Sequence, residues 1–201
     1  MNTFYLIRHG QKNKNIGNPG LTDLGKKQAK LTGQYLSSFK IDKIFNSPSK
    51  RTLETATIIA KEIGIDTEVD MLLRERVNWG DDPNQSLDDF LNMWVQSSNN
   101  RSWQPPVGDS SIDAGNRMLS FIKNIISNKI ENKSTVIISH GGIIVDCLLN
   151  IFSSDYLNEI IPDFVANRDA MLSECSITKL NYNTENKTFI LELLAYTDHL
   201  K

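Results

Sequence analysis

Two short apolar runs constrain the fold of this chain of 201 residues more than any other feature. Phe4-Tyr5-Leu6-Ile7 stops abruptly at Arg8-His9-Gly10, and Thr135-Val136-Ile137-Ile138-Ser139 stops at His140-Gly141-Gly142. Short continuous apolar runs bounded by polar residues and glycine read as strands buried on both faces. Strands of that kind belong to parallel sheets covered by helices, and helical patterns do follow. Residues 11–23 are polar and hold Gly17, Pro19 and Gly20, which predicts a loop. Thr22 or Asp23 then caps a helix with Leu24, Gln28, Leu31, Tyr35 and Leu36 near one face. The second run leads directly into a helix with Ile143, Ile144, Cys147, Leu148 and Ile151 inward.

The rest of the chain extends the same alternation. Residues 41–45 predict a second strand ending at Asn46-Ser47-Pro48. A helix follows, with Leu53, Ala56, Ala60 and Ile63 inward and Gly64 as its stop. Residues 68–73 predict a third strand. Residues 76–110 differ in character, holding Pro83, Pro105, Pro106 and all three tryptophans. They read as a cap-like insertion in a single domain spanning 1–201, with one helix at 86–96. A long helix is expected from Ser111. Two last strands, 175–182 and 188–195, flank a hairpin turn. The β-α-β-α order argues for an α/β layered fold with a mostly parallel sheet.

Composition removes several classes. The formal net charge is −2, so bulk basicity suited to nucleic acid is absent. Two cysteines, Cys147 and Cys175, cannot make a disulfide framework or a four-cysteine metal site. No apolar run is long enough to span a bilayer, and no leader pattern opens the chain. A cytoplasmic protein with reduced thiols and no membrane partner is the expectation. Oligomeric state, monomer or homodimer, is not legible.

Of three histidines, His9 and His140 each follow a strand and precede a glycine. In an open parallel sheet the carboxyl ends of the strands line one crevice, where ligands bind. The topology therefore brings Arg8, His9, Arg51 and His140 to one edge. Guanidinium forks suit phosphate oxygens. Imidazole supplies a donor or a nucleophile. A helix opening at Gly141-Gly142 aims amide hydrogens at an anion. No acidic cluster is available for a magnesium ion. These features point to a phosphate site without metal or other cofactor. His199, near the end, reads as a packing residue.

The same residues resemble the histidine phosphatase superfamily, in its phosphoglycerate-mutase-like branch. Arg8-His9-Gly10, Asn15, Leu21-Thr22, Gly25 and Gln28-Ala29 resemble the opening motif. Ser47-Pro48 with Arg51, Thr55 and Ala56 resembles the second, Leu73-Arg74-Glu75 with Gly80 the third, and Ser139-His140-Gly141-Gly142 the fourth. The resemblance runs from residue 4 to 200. It implies a three-layer α/β/α fold and a phosphohistidine intermediate on His9. Arg8, Arg51 and His140 would hold the phosphoryl oxygens, with Asn15, Thr22 and Gly141 in the same pocket. Glu75 would protonate the leaving alkoxide. Asp81 and Asp82 are the rival acids, and an ion pair with Arg74 or Arg76 is the structural alternative for Glu75.

The resemblance thus implies a phosphatase acting on a small phosphorylated metabolite. A mutase and a noncatalytic phosphate-binding module stay open as alternatives. The short insertion favours hydrolysis over transfer. Lys12 departs from the hydroxyl residue common at its place. Together with Lys14 it would add positive charge at the rim. Trp79 is expected near the leaving group and Trp94 in packing. Glu54 carries no assigned role.

Overall fold

The apolar residues of β1 (Asn2–Arg8) face two ways, and that sets the layering. In the computed structural model, which describes residues 1–127, 133–167 and 171–201, Phe4 and Leu6 join one core with Met118, Ile122, Ile144 and Leu148. Tyr5 and Ile7 join a second with Leu36, Ile44, Ala56 and Ile59. Successive strand residues point to opposite faces, so a strand apolar at every position must be covered on both. Helices α1 (Asp23–Leu36) and α2 (Lys50–Ile63) cover one face. Helices α4 (Ser111–Ser127) and α5 (Gly141–Ile151) cover the other.

The sheet also holds β2 (Lys43–Asn46), β3 (Thr67–Val69), β4 (Ser134–Ser139), β5 (Ile177–Asn183) and β6 (Thr188–Tyr196). Its order is β3-β2-β4-β1-β5-β6. The first four strands in that order run parallel, and β5 and β6 add an antiparallel hairpin. The three-layer α/β/α arrangement expected from the sequence is thus present. No described helix is long and apolar enough to cross a membrane.

Register carries the functional motifs to one edge. Arg8 pairs with Ser139 across β1 and β4, and Asn46 with Ile138 across β2 and β4. The ladder continues one step past the strand ends. His9 N donates to Ser139 O at 2.9 Å, and Ser47 N donates to Ile138 O at 3.0 Å. His9, Ser47 and His140 therefore leave the sheet side by side.

Some elements differ from the sequence expectation. The third strand ends at Val69. Asp70 then caps a short 3-10 turn, Met71–Leu73, by accepting Leu72 N at 2.7 Å. On α2, Leu53 is exposed, and the buried side instead holds Arg51, Thr55, Ala56 and Ile59. The inward stripe begins with polar residues because α2 starts at the site, which shifts the apolar pattern by phase. Leu24 on α1 is likewise exposed. Helix α3 (Leu87–Asn99), capped by Ser86, runs longer than predicted. Helix α6 (Ser154–Ile160), capped by Ser153, was not predicted.

Candidate active site

A cavity of about 290 Å³ opens at the carboxyl edge of the parallel strands and is lined by Arg8, His9, Lys12, Asn15, Arg51 and Glu75, among others. His9 is buried, and its Nδ1 lies 2.8 Å from Gly10 O. A carbonyl only accepts, so Nδ1 carries the ring proton and Nε2 keeps the lone pair. Gly10 is required here by crowding: a Cβ would come 2.5 Å from Gly25 O on α1. Gly10 N also donates to Thr55 Oγ1 at 3.0 Å, which ties the His9 segment to α2.

Arg51 is buried in the first turn of α2. Its Nη2 donates to Asn78 Oδ1 at 2.7 Å and to His140 Nδ1 at 2.9 Å. Its Nε is buried without a partner among the described residues. His140 Nε2 lies 2.7 Å from Ser47 Oγ, and the two imidazole centroids are 5.3 Å apart. Burial, and then the charge of Arg51, push the pKa of both histidines well below the usual 6.5. Both rings are therefore neutral at pH 7. Arg8 reaches the cavity from the end of β1, held by Leu172 O and by Glu174 Oε1 at 3.1 Å.

Glu75 is buried behind this group. Its Oε1 accepts Ile143 N and Arg76 N, each at 2.9 Å, and its Oε2 accepts Gly142 N at 3.1 Å. The amides of Gly142 and Ile143 at the start of α5 are thus engaged by an internal carboxylate. The expectation that this turn offers its amides to an outside anion is corrected accordingly; Gly141 alone of the three lines the cavity without that contact. Arg76 reaches the opposite way. It meets Ser111 and Ser98 hydroxyls at 2.7 Å each, pairs with buried Asp146 at 3.5 Å, and lies 3.6 Å over the Trp94 ring. The ion pair with Arg76 that the sequence alone allowed for Glu75 does not form, since that guanidinium goes to Asp146.

Other expected residues divide. Asn15 and Gly141 line the cavity. Thr22 does not: it is the N-cap of α1, accepting Gly25 N at 3.0 Å and donating to Gln11 Oε1 at 2.8 Å. Asp81 borders a neighbouring cavity and accepts Asn78 N at 2.8 Å. Asp82 accepts Asn84 N at 2.9 Å in a turn. Glu75 is the carboxylate of these three on the main cavity. His199 stacks on Tyr196 and bonds Thr32 Oγ1 at 3.0 Å.

Several contributors were missed. Asn78 orients Arg51, and nothing in its local pattern marks it. Glu54 accepts Leu21 N at 2.7 Å and braces the loop before α1. Trp94, expected in packing, packs on Arg76 and also lines the cavity, which Phe90 and Leu91 line beside it. Cys147 and Cys175 are buried thiols with pKa pushed up to about 12 by burial, so neither is a thiolate nucleophile. No cluster of His, Cys, Asp and Glu suited to a metal ion occurs among the described residues.

Comparison with known proteins agrees with this geometry. The family model of the histidine phosphatase superfamily (branch 1) matches residues 4–193. A 2,3-bisphosphoglycerate-dependent phosphoglycerate mutase of Brucella ovis is 31% identical over 157 residues, covering 70% of this chain and 76% of the mutase. The solved structure of Bacillus stearothermophilus YhfR superposes with a TM-score of 0.76 at 22% identity, covering 100% of both chains. That of Entamoeba histolytica phosphoserine phosphatase, in complex with 3-phosphoglyceric acid, superposes with a TM-score of 0.73 at 21% identity, again covering 100% of both. The chain belongs to the histidine phosphatase superfamily.

Proposed function

We propose that the protein is a phosphatase that hydrolyses small phosphate monoesters, without a metal, through a phosphohistidine on His9. The observation that carries this reading is the tautomer of His9. Gly10 O holds the proton on Nδ1 at 2.8 Å, so Nε2 is the nucleophilic nitrogen of a ring kept neutral by burial. Nε2 attacks phosphorus, the N–P bond forms and the P–O bond to the leaving group breaks. Arg8 and Arg51 offset the charge on the phosphoryl oxygens. His140 supports Arg51 from behind through Nδ1.

Glu75 is assigned the proton transfers. It delivers a proton to the departing alkoxide and then takes one from the water that cleaves the phosphohistidine. Family membership and the solved phosphatases of this fold support the reading. Similarity to the Brucella mutase favours one second reading, phosphoryl transfer back to a product. The test is turnover of an aryl phosphate with a chelator present. Retained turnover, abolished in His9→Ala, is expected. Loss with the chelator, or unchanged turnover in the variant, would overturn the proposal. Incubation with 3-phosphoglycerate and a bisphosphate primer separates the second reading: isomerised product without free phosphate means a mutase.

A further inference from the structure

The cavity lining beyond Arg8, His9 and Arg51 has two chemical characters. Trp79, Phe90, Leu91 and Trp94 supply an apolar side from the 76–110 segment, and Lys12 supplies a cation from the loop after β1. The backbone of that loop is braced. Lys12 bridges to Leu21, Asn13 N donates to Gly20 O at 3.0 Å, and Thr22 N donates to Gln11 O at 2.9 Å. The loop is also joined to the aromatic side, because Gly17 N donates to Trp79 O at 2.9 Å. Cation and aromatic surface thus belong to one connected rim.

Lys12 stands apart from the other cations of the cavity. Arg8 pairs with Glu174, and Arg51 bonds Asn78 and His140. Lys12 makes no ion pair or side-chain hydrogen bond among the described residues. Lys12 is exposed at the rim yet lines the same cavity as Arg8 and Arg51. Partial desolvation, then the charges of Arg51 and Arg8, lower its pKa, and Glu174 opposes the shift. Glu174 is the anion that acts on Lys12, and it is already paired with Arg8, so an incoming anion would offset the crowding of the three cations. The phosphoryl group already has two arginines. A second anionic group on the substrate would be the natural partner of the lysine.

We propose that Lys12 and the Trp79–Trp94 surface form a leaving-group subsite, selecting phosphate esters whose alcohol or phenol joins a flat apolar body to an anionic substituent. Aromatic surface favours flat apolar groups by area and by ring geometry, and the lysine adds charge selection at the edge. This inference rests on the phosphatase reading and deepens it.

The test compares kcat/KM for 4-carboxyphenyl phosphate and 4-carbamoylphenyl phosphate, which match in shape and differ in charge. Wild type is expected to prefer the carboxylate by roughly fivefold. Lys12→Met should erase the preference. Lys14→Met, exposed on the same loop and off the cavity lining, should keep it. Trp79→Leu should lower both aryl esters relative to ethyl phosphate by roughly fivefold. Hydrolysis without a charge preference, or a preference that survives Lys12→Met, overturns the subsite while leaving the phosphatase reading intact. An equal effect of Trp79→Leu on aryl and ethyl esters also overturns it. Failure to hydrolyse any of the esters overturns the phosphatase reading, and the subsite with it.

Discussion

Arg51 Nη2 donates to His140 Nδ1 at 2.9 Å, and this bond sets the protonation of the imidazole. A guanidinium only donates, so Nδ1 is bare and the ring proton sits on Nε2, toward Ser47 Oγ at 2.7 Å. Protonating Nδ1 would break the bond and set two cations side by side. Burial and this neighbour together keep His140 neutral. The arrangement makes His140 a support for Arg51, whose side chain lines the cavity.

Stability should fall on mild acidification. The folded pKa values of His9 and His140 lie well below 6.5, so below pH 6.5 the unfolded chain binds more protons than the folded one. The stability they permit is complete above pH 6.5 and is lost as pH falls toward the folded values. Each ring contributes a slope of up to about 1.4 kcal/mol per pH unit. Urea unfolding at pH 7.5, 6.5 and 5.5 should show a small loss over the first interval and a markedly larger one over the second. His140→Asn should reduce the drop.

Glu75→Gln should separate leaving groups. The amide oxygen still accepts Ile143 N and Arg76 N, the amide nitrogen no longer accepts Gly142 N, and the side chain no longer delivers a proton. Turnover of an alkyl phosphate should fall about a hundredfold. Turnover of 4-nitrophenyl phosphate, whose leaving group needs no acid, should fall far less. An equal loss on both esters would assign Glu75 to structure.

Gly142→Ala should damage both stability and activity. The added Cβ would lie 2.7 Å from Trp94 Cη2 and 2.8 Å from Glu75 Oε1. Overpacking of this kind costs about 1–3 kcal/mol. Because the crowded carboxylate is the proposed acid, alkyl phosphate turnover should fall more than 4-nitrophenyl phosphate turnover. Denaturant midpoints and the two rates check this together.

Arg76→Met should destabilise the fold without touching substrate. Arg76 is 3% exposed and joins Ser98, Ser111 and Asp146 under the Trp94 ring. Removing one member of a buried ion pair costs about 3 kcal/mol or more. Urea unfolding should show a lower midpoint at unchanged slope.

The sequence made the strand ends legible because their apolar runs stop at Arg8-His9 and Ser139-His140, and register does the rest. Glu75 was less legible. Its role depends on amides at residues 142 and 143, a contact between distant segments with no local pattern. Asn78 and Trp94 were hidden for the same reason, since the 76–110 segment is placed by tertiary contacts such as Arg76 on Trp94. Thr22 carried two expectations, a helix cap and a pocket contact, because one hydroxyl serves either, and the structure uses the cap. Polar inward positions at Arg51 and Thr55 disguised the buried face of α2.

The central claim is that His9 carries the phosphoryl group. Rapid quenching of the enzyme with phosphate-labelled substrate, followed by peptide mapping, measures it directly. The account predicts an acid-labile, alkali-stable label on the peptide containing His9, absent in His9→Ala. Turnover of the same substrate with no label on His9, or with label on another residue, would contradict it.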